Sequence, residues 1–153
     1  MDLILWRHAE AIDLELVGDD MLRSLTPRGE KQAARMAEWL DRQMPSGAKV
    51  WASPALRTEQ TARALGRKFK TSPALAPLAT VEQLLELTQW PQAKGCVLVV
   101  GHQPVLGQAI ARLLGLADSD CAVKKGAVWW LRHRERENGA QTVVVTVQSP
   151  EVL

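Results

Sequence analysis

The sequence predicts an α/β layered fold on a mostly parallel sheet. Two observations carry this. Short apolar runs alternate with segments of helical periodicity along the whole chain, and the runs Leu3 to Trp6 and Cys96 to Val100 lack polar alternation, as strands covered on both faces do. Strands that alternate with helices in this way form parallel sheets, because each helix carries the chain back across a face of the sheet.

Taken in order, Leu3-Ile4-Leu5-Trp6 is a central strand. Thr26-Pro27 reads as N-cap and first helical residue of a helix carrying Ala33, Met36, Ala37, Leu40 and Met44 on one face and stopped by Pro45-Ser46-Gly47. Val50-Trp51-Ala52 is a short strand. Ser53-Pro54 repeats the cap-then-proline signal, which predicts a helix to about Phe69 with Ser53 as its cap. Thr80 to Trp90 is a helix through Val81, Leu84, Leu85 and Leu87, and Cys96 to Val100 is the next strand. A helix with Pro104 near its start buries Val105, Ile110, Leu113 and Leu114. Ala127 to Leu131 and Thr142 to Val147 are strands of a terminal pair, separated by a charged segment and the turn signal Asn138-Gly139. Trp129 and Trp130 then point to opposite faces, and His133 lies at a solvated strand end with no assigned function.

Composition bounds the function. The chain has 153 residues, 46% hydrophobic and 24% charged, which fits one domain over 1–153 with a core that needs neither disulfide nor structural metal. Its 19 basic and 17 acidic residues are scattered, so no charged face offers itself to nucleic acid or a membrane. Cys96 and Cys121 lack metal-type spacing and are expected reduced. The apolar run before Arg7 is too short for a signal sequence or a membrane span, and a cytoplasmic protein is expected.

The chemistry collects at one place. Arg7-His8 follows the first strand, Ser53 and Arg57 follow the second, and Gly101-His102 follows the later buried strand. If these strands are parallel, all stand at the carboxyl edge of the sheet, where open α/β folds bind ligands. Two arginines and two histidines without a carboxylate cluster suit a phosphoryl group, which guanidinium forks and helix-start N–H groups can hold, and would repel a cation. No metal or other cofactor is expected.

Arg7-His8-Ala9-Glu10-Ala11, Leu25-Thr26-Pro27-Arg28-Gly29-Glu30-Lys31-Gln32-Ala33, Ser53-Pro54-Ala55-Leu56-Arg57-Thr58-Glu59-Gln60-Thr61-Ala62 and Val100-Gly101-His102 together resemble the histidine phosphatase (phosphoglycerate mutase-like) superfamily, and the short chain its small SixA-type branch. The resemblance implies a three-layer α/β/α sandwich with a mixed, mainly parallel sheet. It implies that His8 is the nucleophile, Arg7 and Arg57 bind phosphate, His102 is the second active-site histidine, and Arg23 is a further phosphate contact. Ala9 departs from the family's usual glycine.

The physics of these roles is independent of the family. Histidine attacks phosphorus only as neutral imidazole, which neighbouring arginines favour, while Arg7, Arg57 and a protonated His102 would hold the nonbridging oxygens. The general acid is open: the phytase-like branch has Asp after the second histidine, where this chain has Gln103, and Glu10 and Glu82 are the candidates. A phosphohistidine needs little acid help, since the leaving imidazole's conjugate acid has a pKa of about 6.5. The expected activity is therefore that of a phosphohistidine protein phosphatase working through a phosphohistidine intermediate. Its expected partner is a histidine-phosphotransfer, phosphorelay or phosphotransfer-system protein. A phosphatase for a small phosphate ester is the alternative enzyme, and a silent phosphohistidine-binding module the alternative of another class.

Overall fold

The computed structural model describes residues 1–153. Four strands, β1 (Asp2–Arg7), β2 (Lys49–Ala52), β3 (Lys70–Thr71) and β4 (Cys96–Gly101), run parallel, and β5 (Val128–Arg136) and β6 (Gly139–Gln148) extend the sheet antiparallel. The order across the sheet is β3-β2-β4-β1-β5-β6, so β1 and β4 lie in the middle.

Alternation along those strands builds the layers. Ile4, Trp6, Leu98 and Val100 face helices α1 (Pro27–Gln43) and α2 (Leu56–Arg63), meeting Met36, Ala37, Leu40 and Ala62. Leu3, Leu5, Val97 and Val99 face α3 (Val81–Thr88) and α4 (Val105–Leu114), meeting Leu84, Leu106, Ala109 and Ile110. The result is an α/β/α sandwich with a mixed, mainly parallel sheet, as expected. Each fully buried leucine, isoleucine or valine of β1 and β4 contributes about 1.5–3 kcal/mol.

Local chemistry sets the helix ends. Thr26 Oγ1 accepts from Gly29 N at 2.9 Å with Pro27 at the first helical position, as predicted for α1. Thr80 and Gln83 form a reciprocal capping box that opens α3, and Gly115 in the left-handed conformation closes α4.

Four expectations are corrected. The helix after Ser53 begins at Leu56 and ends at Arg63 rather than near Phe69, because Gly66 takes φ +72° and turns the chain into β3, a strand absent from the sequence reading. Ser53 does not cap it: the cap position is Ala55, with no side-chain bond. The charged residues Arg132 to Arg136 continue β5 instead of forming a separate segment, and Gly139 opens β6 directly. Trp129 and Trp130 do divide between the faces, Trp130 packing edge-on to Trp39. His133 is not a plain solvated end, since its side chain is 14% exposed and its ring packs edge-on to Trp90. Cys96 and Cys121 are free thiols.

Candidate active site

Three neighbouring parallel strands end together. Arg7, the last residue of β1, pairs with Gly101, the last of β4, and the ladder runs one step further: His8 N donates to Gly101 O at 3.1 Å and Ser53 N to Val100 O at 3.1 Å. His8, His102 and Ser53 thus leave the carboxyl edge of β1, β4 and β2 side by side, with the imidazole centroids 5.3 Å apart. Arg57 enters from the first turn of α2. One turn later Thr61 Oγ1 donates to Arg57 O at 2.8 Å and accepts from Ala9 N at 3.1 Å, which fixes α2 against the chain after His8. Ala9 is fully buried with Ala11, Leu25 and Ala33, so its methyl group is a packing contact.

Hydrogen bonds assign the imidazole tautomers. His8 Nδ1 lies 2.7 Å from Ala9 O, and a carbonyl only accepts, so Nδ1 carries the proton and Nε2 the lone pair. His102 Nε2 lies 2.8 Å from Ser53 Oγ, which already accepts from Ala55 N at 3.2 Å. The hydroxyl of the buried Ser53 has no other acceptor for its proton, so it donates to Nε2, and the proton of the neutral His102 sits on Nδ1. Burial pushes the His8 pKa down to about 3, with the charges of Arg57, Arg7 and Arg23 acting the same way against the bond to Ala9. Burial and then Arg57 push His102 down to about 3 as well. Both rings are neutral at neutral pH, so the protonated His102 of the sequence reading is not the resting state.

The guanidiniums are held from outside the histidine pair. Arg7 Nη1 donates to Val123 O at 2.8 Å. Arg57 Nη1 donates to Asp20 O at 2.7 Å and Nη2 to Asp20 Oδ2 at 3.0 Å. Arg23 Nε donates to Ile12 O at 2.7 Å and Nη1 to Asp20 Oδ1 at 3.2 Å, so the irregular arginine does reach the cluster. Four buried side-chain nitrogens are left without a partner, and three of them gather here: Arg7 Nε, Arg57 Nε and Nδ1 of His102. Buried unpaired donors cost about 1–3 kcal/mol each, and their gathering among cationic groups is what an anion would satisfy.

The candidate acids lie elsewhere. Glu10 accepts from Thr26 Oγ1 at 2.6 Å and so ties its carboxylate to the start of α1. Glu82 stands in solvent on α3, 2.8 Å from Arg112. Gln103 is structural, donating to Cys121 O at 2.8 Å and accepting from Gly107 N at 2.7 Å. No three His, Cys, Asp or Glu side chains are grouped so as to hold a metal ion. The sequence reading missed Asp20, Thr61, the Val123 carbonyl and Gly126, whose N–H lies 3.1 Å from Arg7 O and 3.0 Å from His8 O. Thr61 sits within the segment Ser53 to Ala62 and Asp20 in the polar stretch between Ala11 and Leu25, but nothing in their spacing marks them.

The model of the histidine phosphatase superfamily (branch 1) matches residues 3–90. The phosphohistidine phosphatase SixA of Escherichia coli K12 is 31% identical over 122 residues, 74% of each protein. An uncharacterized protein of Picosynechococcus sp. is 33% identical over 140 residues, 86% of this chain and 85% of that one. The structure of the protein histidine phosphatase SixA complexed with tungstate superposes with a TM-score of 0.82 at 26% identity, covering 99% of both chains. With its strand-end histidines and arginines in the order of that family, this chain belongs to the histidine phosphatase superfamily, in its SixA-type branch.

Proposed function

We propose that the whole chain acts as one phosphatase domain that removes phosphate from a phosphorylated histidine of a protein, through a phosphohistidine on His8. The observation that carries this is the pairing of a neutral His8, its Nε2 lone pair free, with unpartnered donors on Arg7, Arg57 and His102. In the first step Nε2 of His8 bonds to phosphorus while the P–N bond of the substrate breaks, and the departing imidazole takes its proton from water. Arg7, Arg57, Arg23 and Nδ1–H of His102 hold the oxygens as charge moves. In the second step water bonds to phosphorus, the P–N bond to His8 breaks, and inorganic phosphate leaves.

The chemistry needs no metal in this scheme and little general acid, which suits a site whose two candidate glutamates are engaged elsewhere. The segment between α2 and β4 holds only β3, a short 3-10 turn and α3, which leaves little chain to form a lid that would exclude a bulky substrate. A histidine-phosphotransfer, phosphorelay or phosphotransfer-system protein in the cytoplasm is the substrate we infer; the phosphohistidine name of the E. coli relative points the same way. No helix is long and apolar enough to cross a membrane.

The test compares turnover of a phosphorylated histidine-phosphotransfer domain with that of sugar phosphates, in EDTA, with rapid quenching. Preference for the phosphoprotein and an alkali-stable, acid-labile phosphoenzyme that vanishes in His8→Ala are expected. Preference for sugar phosphates supports the small-ester reading, and loss of activity with EDTA removes the metal-free mechanism.

A further inference from the structure

The carboxylate of Asp20 is the only acidic group bonded to the site's arginines, and the reaction as written does not use it. Its Oδ2 accepts from Arg57 at 3.0 Å and its Oδ1 from Arg23 at 3.2 Å, so one anionic group spans two cations with two oxygens, as two nonbridging phosphoryl oxygens would. The Arg57 side chain beneath it is 4% exposed, while that of Asp20 is 41% exposed. We propose that Asp20 is a specificity-determining residue that occupies part of the anion seat: the buried Arg7 Nε, Arg57 Nε and His102 Nδ1 stand vacant, but a phosphate must displace the carboxylate from Arg57 Nη2 and Arg23 Nη1 to engage all of the site's cations.

The segment carrying Asp20 suits displacement. Its two 3-10 turns, Leu14–Leu16 and Asp20–Leu22, bury no residue. Its ends are fastened, by the bridge between Ala11 and Leu25 and by Ile12 N donating to Ser24 O at 2.8 Å. Beyond the two arginines, the Asp20 carboxylate has no hydrogen bond, and it is Asp19 that accepts from Met21 N. The arginines hold the Asp20 carboxyl below its usual range against the opposing effect of burial, so it stays charged at neutral pH and is a poor proton donor.

The selectivity follows from where binding energy originates. A free oxoanion has only its contacts with the arginines and His102 to set against the carboxylate it evicts. A phosphoprotein adds contacts remote from phosphorus, and that remote energy can drive the displacement. Asp20 thus weakens small phosphates more than protein-bound ones. This rests on the phosphatase reading above and names what that site selects.

The experiment measures inorganic phosphate binding by calorimetry at pH 7.5 for the unaltered chain, Asp20→Asn and Asp20→Ser. It also compares kcat/KM for p-nitrophenyl phosphate with that for a phosphorylated histidine-phosphotransfer domain. Both variants should bind phosphate at least tenfold more tightly, and the ester-to-phosphoprotein ratio of kcat/KM should rise at least tenfold. Unchanged or weaker phosphate binding overturns the proposal and makes Asp20 a support for Arg57 instead. If no form binds phosphate, the phosphatase reading fails with it, a separate outcome. Should both variants misfold, the unaltered chain crystallised with phosphate decides: the bond from Arg57 Nη2 to the Asp20 carboxylate must be gone, whatever becomes of the bond to its main-chain carbonyl, and retention of the carboxylate bond overturns the proposal.

Discussion

Lowering the pH from 7.5 to 5 should cost this protein several kcal/mol of stability through His8 and His102 alone. Each imidazole titrates near 6.5 when unfolded and is pushed down to about 3 in the fold. Between those values the unfolded chain binds protons that the folded one refuses, so the contribution is fully present above pH 6.5 and falls away as the pH drops toward 3. At pH 5, about 1.5 units below the unfolded value and at 1.36 kcal/mol per unit, the loss is about 2 kcal/mol per histidine. For two it approaches about 4 kcal/mol, a large share of the 5–15 kcal/mol typical of a domain. Asp2 and Asp20 are held below the usual carboxylate range, so what they contribute is lost only at more acidic pH, and pH 5 isolates the histidines. Urea unfolding at pH 7.5 and 5, for the unaltered chain and for His102→Asn, measures it. The variant should lose about half as much as the parent. A parent loss below about 1 kcal/mol, or equal losses in both proteins, would refute the account of two buried neutral rings.

Arg57→Ala should weaken vanadate binding and lower kcat/KM by about 100-fold or more, because a lost fork is missed in both ground and transition states; undiminished vanadate binding in the variant would contradict the pocket as assembled. His102→Ala should slow turnover yet still allow phosphoenzyme to be trapped on His8, and phosphate found on residue 102 of the unaltered chain would reverse the roles. Ser53→Ala frees Nε2 of His102 to take the proton from Nδ1, so kcat should fall about tenfold with KM little changed and stability within about 1–2 kcal/mol of the parent, as stopped-flow kinetics and urea unfolding would show. Gly29→Ala drives a methyl group into the Glu10 carbonyl, backbone against backbone, and should destabilise by about 3 kcal/mol or more in urea unfolding.

The parts of the site that the sequence made legible are those that sit one step beyond an apolar strand. His8 and His102 each follow a run with no polar alternation, and parallel pairing of β1 with β4 then brings them together. What stayed hidden depends on tertiary contact. Asp20 is one acid among several in a polar stretch, and only the approach of α2 places its carboxylate against Arg57. Ser53 precedes a proline as a cap would, yet helical hydrogen bonding starts only after Ala55, leaving its hydroxyl for His102. β3 is two exposed residues, Lys70 and Thr71, held by pairing with Trp51 and Ala52, so no apolar pattern announces it. Arg132 to Arg136 read as a charged spacer because a hairpin arm at the sheet margin can be polar and still be a strand.

The position of β1 at the middle of the sheet governs when activity can arise during folding. Both neighbours of this first strand come late in the chain: Asp2 pairs with Cys96 on one side and with Arg132 on the other. Among the strands before residue 90, only β2 and β3 pair with each other. The stretch that carries the family's signature, residues 3–90, therefore cannot close a sheet around its own histidine. On a ribosome His8 emerges before the strands that flank its own and waits, unshielded and with an ordinary proton affinity, until they arrive. Such distant closures slow folding relative to local ones. Dephosphorylation is thus an all-or-none report on the finished molecule, and a truncated or stalled chain carries the motif without the catalyst.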